Sequence, residues 1–98
     1  MRATERAEVQ KYKNALNEIK NGKKQGLRYL YDEYMKSLYV FVYSETHSKE
    51  ESSDIICDFY KHIWENPSSY AVSNYDEVLP FLRGRLKKFM LKDARNCL

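Results

Sequence analysis

The sequence predicts an all-α domain, a compact bundle of three longer helices with a further helix at the N-terminus. Apolar residues recur three or four apart through four separate stretches, the spacing that lines one face of a helix. No segment sustains the strict alternation of a half-buried strand. Gly and Pro, the residues that interrupt helices, number only three and two among 98,. A chain of that length holds one domain with a single modest core.

The first helix is predicted from about Glu5 to Lys20, with Val9, Tyr12, Leu16 and Ile19 on its apolar face. Asn21-Gly22 stops it, because glycine accepts the left-handed conformation that closes a helix. The second starts near Lys23 and runs to Glu45 or Thr46. Its Leu27, Leu30, Tyr31, Tyr34, Leu38, Phe41 and Val42 form a stripe wide enough to pack on two neighbours,. ETHSKEESSD, residues 45–54, then breaks the pattern; its serines are N-cap candidates, and the acids after them suit a helix N-terminus. A third helix is predicted from about Lys49 to Glu65, since Asn66 precedes Pro67 and is pushed out of helical geometry. Residues 67–77 read as a loop carrying Tyr70, Asn74 and Tyr75. The last helix begins near Asp76 or Glu77, tolerates Pro80 in its first turn, crosses Gly84 and continues to about Arg95.

Composition excludes several classes. The apolar fraction of 43% and charged fraction of 32% suit a folded, soluble chain rather than a disordered one,. Nothing approaches the apolar run of a membrane span, and the N-terminal residues lack the apolar core of a secretory signal. Cys57 and Cys97 are isolated, so two free thiols in a reducing cytoplasm are expected. No HExxH, GxSxG, phosphate-binding loop or paired-cysteine signature occurs. His47 and His62 lie fifteen residues apart and are expected as surface histidines. No enzyme, metal or cofactor is expected.

The charge is segregated. From Glu45 to Glu65 six acids stand against two bases, a local net of −4; from Phe81 to Leu98 six bases stand against Asp93 alone, a local net of +5. On a wheel at about 100° per residue, Ile55, Ile56, Phe59, Tyr60 and Ile63 fill one side of the third helix, with Trp64 at its margin. Glu51, Asp54, Asp58 and Glu65 fall within about 60° on the far side. Such a row is either a solvated face or a docking face for a basic partner, whose paired charges steer association. Periodicity leaves both open. On the last helix Leu79, Leu82, Leu86, Phe89 and Met90 share an apolar arc. Arg85, Lys88, Lys92 and Arg95 form a stripe on the other side, with Arg83 and Lys87 at the opposite margin. A basic stripe suits a phosphate backbone. The loop upstream offers Tyr70, Asn74 and Tyr75, and aromatics beside a basic groove are what single-stranded bases stack on. A tyrosine taken singly is more often a packing or turn residue than a stacking platform.

Three stretches taken together resemble region 2 of the bacterial extracytoplasmic-function sigma factors, a branch of the sigma-70 family. NGKKQGLRYLYDEYMKSLYVFVY (21–43) is similar to the first motif, in register at Gly22, Leu27, Leu30, Tyr31, Tyr34, Leu38, Tyr39 and Phe41. SSDIICDFYKHIWEN (52–66) resembles the motif that follows, matching without a gap at Asp54, Ile55, Ile56, Asp58, Ile63 and Trp64. VLPFLRGRLKKFMLKDARN (78–96) is similar to the third more loosely. Phe81, Leu82 and Lys87 fit, Lys88 stands where Asn is common, Lys92 where Asp or Asn is common, and Asp93 falls one residue late. The resemblance covers about residues 10–96.

What the resemblance implies is a transcription initiation domain. Its third helix would dock on the β′ clamp helices of core RNA polymerase through Glu51, Asp54, Asp58, His62 and Glu65. Its loop and last helix would engage the promoter −10 element as it melts, through Tyr70, Asn74, Tyr75, Arg83, Arg85, Lys87, Lys88, Lys92 and Arg95. An anti-sigma factor is a further implied partner. The family carries a second domain, a helix-turn-helix that reads the −35 element. The expectation is therefore that these residues are a fragment of a longer protein. Two rivals stay open: a helical protein-interaction module, adaptor or decoy, that reads no DNA, and a duplex binder without sequence preference.

Overall fold

The computed structural model describes residues 3–72 and 77–92, with side chains for 7–72 and 77–91. Among the described residues there are four α-helices, one 3-10 turn and no strand. Helix α1 (Ala3–Lys20) buries Val9, Tyr12, Ala15, Leu16 and Ile19, the face its spacing predicts. It closes at Gly22, where φ is 76°, as the Asn-Gly pair predicts. The amides of Gly22 and Lys23 donate back to the carbonyls of Ile19 (2.9 Å) and Glu18 (2.8 Å). That pair of bonds is the left-handed cap that turns the chain directly into α2.

Helix α2 (Lys24–Thr46) crosses α1 closely at Gly26. A Cβ there would overlap the Ala15 carbonyl oxygen and stand 3.0 Å from the Glu18 Cβ, and a backbone oxygen cannot move aside as a side chain can. Gly84, by contrast, has nothing within 4 Å of its missing Cβ. The two glycines therefore give opposite outcomes. Gly26→Ala is expected to destabilise by about 1–3 kcal/mol through overpacking. Gly84→Ala is expected to stabilise by about 0.5–1 kcal/mol through helix propensity alone. Urea unfolding of both variants checks the pair; a shared sign would contradict it.

The core stripe of α2 is Leu30, Tyr34, Leu38 and Val42, with Leu27 and Phe41 half-buried. Tyr31, expected inside, is 44% exposed and lies edge-on to Tyr60 with centroids 5.4 Å apart. α2 ends at His47, which takes the left-handed conformation (φ 57°) and donates its amide to the Tyr43 carbonyl at 2.8 Å. Ser48 then caps helix α3 (Lys49–Glu65), its hydroxyl accepting from the Glu51 amide at 3.2 Å,. Ser52 is fully buried and shares a 2.8 Å hydrogen bond with the Thr46 hydroxyl, pinning the corner between α2 and α3.

Helix α3 buries Ile55, Ile56, Phe59, Tyr60 and Ile63 and stops at Asn66, before Pro67. The loop after it opens with a 3-10 turn, Pro67–Tyr70, and helix α4 follows at Val78–Lys92. The expected extension of the last helix to Arg95 lies outside the described residues. α1 packs on α2 and on the 3-10 turn, α2 on α3, and α4 closes against all three other helices. Phe59, with no exposed surface, stands edge-on to Tyr60, Tyr70 and Phe89 at 5.5–6.1 Å.

Buried tyrosines are satisfied by long-range hydrogen bonds. Tyr12 donates to the Tyr70 carbonyl (2.6 Å), Tyr60 to the Leu30 carbonyl (2.8 Å) and Tyr34 to the Glu8 carboxylate (3.0 Å). Among the described residues no buried side-chain polar atom lacks a partner. Burial holds the Tyr12, Tyr34 and Tyr60 phenols far above their ordinary value; for Tyr34 the Glu8 hydrogen bond adds to it. Burial also raises Tyr70, against a lowering influence from Arg85. Because the unfolded chain ionises first, near pH 10, this stabilisation is complete below about pH 10 and is lost as pH rises beyond it. An ultraviolet phenolate titration should therefore show Tyr12, Tyr34 and Tyr60 ionising only together with loss of helical signal,. Ionisation of all nine tyrosines near pH 10 with the helices intact would contradict this.

Candidate functional site

The apolar face of α3 is anchored in the core, so its opposite face is turned outward. Glu51, Asp54 and Glu65 are exposed there and Asp58 is half-buried. The row from Glu51 to Glu65 runs about 20 Å along the helix at the rise of an α-helix. Glu50, also exposed, adds a charge at its N-terminal end, and Lys61 lies exposed between Asp58 and Glu65. A negative ridge on a well-anchored helix can steer and orient a positively charged partner without moving the core.

His62 does not belong to that ridge. Its ring is half-buried, its Nδ1 lies 2.7 Å from the Tyr70 hydroxyl, and it tilts against Phe89 at 5.7 Å. It therefore ties α3 to the 3-10 turn through one ring nitrogen.

Two residues expected at the nucleic acid, Tyr70 and Arg85, are likewise engaged within the protein. Tyr70 is 3% exposed: its ring sits edge-on to Phe59 at 5.5 Å and its carbonyl accepts from Tyr12. No face of it is open for a base to stack on. Arg85 turns toward the same element, its guanidinium donating to the Ser69 carbonyl and lying over the rings of Tyr70 (5.4 Å) and Phe81 (5.8 Å). The cation–π contacts and the carbonyl hold it as a strut between α4 and the 3-10 turn. What α4 does present outward is Arg83, Lys87 and Lys88, all exposed. Asn74, Tyr75, Arg95 and Asp93 lie outside the described residues, as does the side chain of Lys92. The described basic surface is thus one margin of the expected stripe plus Lys88.

A further feature is not visible from the pattern of either helix alone. Between the first half of α2 and the last half of α3 lies an open groove of about 710 Å³, with Leu27, Tyr31, Tyr60 and Trp64 on its floor and walls. Beside it, sharing Tyr31 and Cys57, is a smaller hollow of about 330 Å³ bordered by Met35, Tyr39 and Ile56. The sequence does hold a trace of it. Leu27, Tyr31, Met35, Tyr39 and Tyr43 recur every fourth residue, the inclined row that forms a ridge on a helix surface,. Tyr39 and Tyr43 stack along that row with centroids 6.2 Å apart. Cys57 is a free, exposed thiol at the junction of the two hollows.

Among the described residues, no three His, Cys, Asp or Glu side chains gather to hold a metal ion. No helix among them is long and apolar enough to cross a membrane. No family model matches the chain, and neither a curated protein nor a solved structure matches it.

Proposed function

We propose that this chain works as a region 2-like domain of a bacterial sigma factor, binding core RNA polymerase through α3 and promoter DNA through α4. The observation that carries the proposal is the separation of charge onto two helices. Asp54 and Asp58 stand one turn apart on the outer face of α3, at the positions where the resemblance puts polymerase contacts. Arg83, Lys87 and Lys88 stand exposed on α4, which follows the loop where an opened strand would lie. Arg85 from α4 and His62 from α3 both hold the 3-10 turn that precedes α4, through the Ser69 carbonyl and the Tyr70 hydroxyl.

DNA binding tests the proposal. Selection from a pool of single strands with a randomised segment should enrich one short motif, and affinity for that motif should fall steeply with salt. Alanine at Arg83, Lys87 and Lys88 together should reduce the salt slope by about 0.7 for each phosphate no longer neutralised. An unchanged slope would remove α4 from the interface. Equal affinity for every duplex, with no enriched motif, would favour a general DNA binder.

A further inference from the structure

We propose that the groove between α2 and α3 docks an amphipathic helix with an acidic edge, supplied by a protein partner. This goes beyond the polymerase and DNA surfaces and does not depend on them. The groove is open and its lining is mainly apolar, with the Tyr60 hydroxyl already taken by the Leu30 carbonyl at 2.8 Å. Apolar side chains three and four residues apart on a helix would fill such a trough.

The rim sets the sign of the partner. Lys24 and Arg28 border the groove from α2 and Lys61 borders it from α3, all exposed. Among the described residues Asp32 is the one acid lining it; it pairs with Arg28 at 3.9 Å with both side chains largely exposed, a contact that gives way readily,. Lys20 and Lys23, exposed at the turn between α1 and α2, extend the positive field beyond the groove's end. Lys61 also stands between the groove and the acidic ridge of α3. An acidic edge is therefore favoured over the α2 wall and disfavoured over α3, which fixes the orientation of the docked helix.

The test uses the full chain and two labelled peptides of identical apolar face, one carrying Glu along an edge and the other Lys at the same positions. The acidic peptide is expected to bind saturably by fluorescence anisotropy, the basic one to bind on the order of tenfold or more weakly. Bound acidic peptide should slow alkylation of the Cys57 thiol, read by mass spectrometry of the fragment containing it. Lys24→Glu, Arg28→Glu and Lys61→Glu together should weaken the acidic peptide by on the order of tenfold, and Tyr31→Ala should also weaken it, with helical circular dichroism unchanged. Lys11→Glu, an exposed reversal on α1, should leave binding as it was. Equal binding of the two peptides, no binding of either, or unprotected Cys57 overturns the proposal. Self-association of the chain that the rim reversals abolish overturns it in favour of a second copy as the occupant.

Discussion

Replacing Phe59 with alanine is expected to remove about 3–5 kcal/mol of unfolding free energy, the range for deleting a fully buried aromatic ring. Phe59 has no exposed surface and meets Tyr70 from the 3-10 turn and Phe89 from α4 edge-on, at 5.5 and 5.7 Å. With His62, it joins α3 to both later elements by ring contact. Loss of the ring leaves a void lined by groups fixed in place by other bonds: Tyr70 is held by His62 through its hydroxyl and by Tyr12 through its carbonyl. The site cannot collapse cheaply, so the upper part of the range applies. A domain of this size has about 5–15 kcal/mol in total, so the loss is a large fraction of its stability. Phe59→Leu should recover part of the loss. Urea midpoints at constant m value give the answer; a change under about 1 kcal/mol for the alanine variant would mean that α3 and α4 are not joined there.

Much of the fold is legible in the sequence because helical periodicity reports directly which side of a helix is dry. The faces of α1 and α3, the Gly22 stop and the break before Pro67 all follow from spacing and local backbone chemistry. What periodicity cannot report is which residue of a loop turns inward. Tyr70, Asn74 and Tyr75 look alike as aromatic and polar loop residues, yet Tyr70 lies in the core because Phe59, Tyr12 and His62, all distant in sequence, converge on it. Arg85 follows it inward, drawn from the basic stripe by a carbonyl and two rings that only the tertiary structure places nearby. Ser52 reads as one more serine at a helix start, because its partner, Thr46, belongs to the preceding helix. The α2–α3 groove needs both helices to exist, so each sequence stretch carries only half of it. The acidic ridge, in contrast, needs α3 alone and is readable at once.

The second large effect concerns that ridge. Asp54→Lys with Asp58→Lys changes the net charge of residues 45–65 from −4 to 0, since each replacement adds two units. Neither residue belongs to the buried face of α3, so the helix and its core should survive; Asp58→Asn separates loss of charge from any loss of packing at that half-buried position. The proposed binding to core polymerase through this ridge should weaken on the order of 10- to 100-fold at low salt, about 1.4–2.8 kcal/mol, and the difference should shrink as salt screens the ridge. Nucleic-acid binding by Arg83, Lys87 and Lys88 should not fall, because those groups lie on a different helix.

Retention of the full chain on immobilised bacterial core RNA polymerase, wild type beside the Asp54→Lys, Asp58→Lys double variant, bears most directly on the two-surface reading. Near-stoichiometric retention of the wild type and loss of the variant, with equal helical content, is the predicted result. A wild-type chain that passes through unretained, or a double variant held as strongly as the wild type, would contradict it.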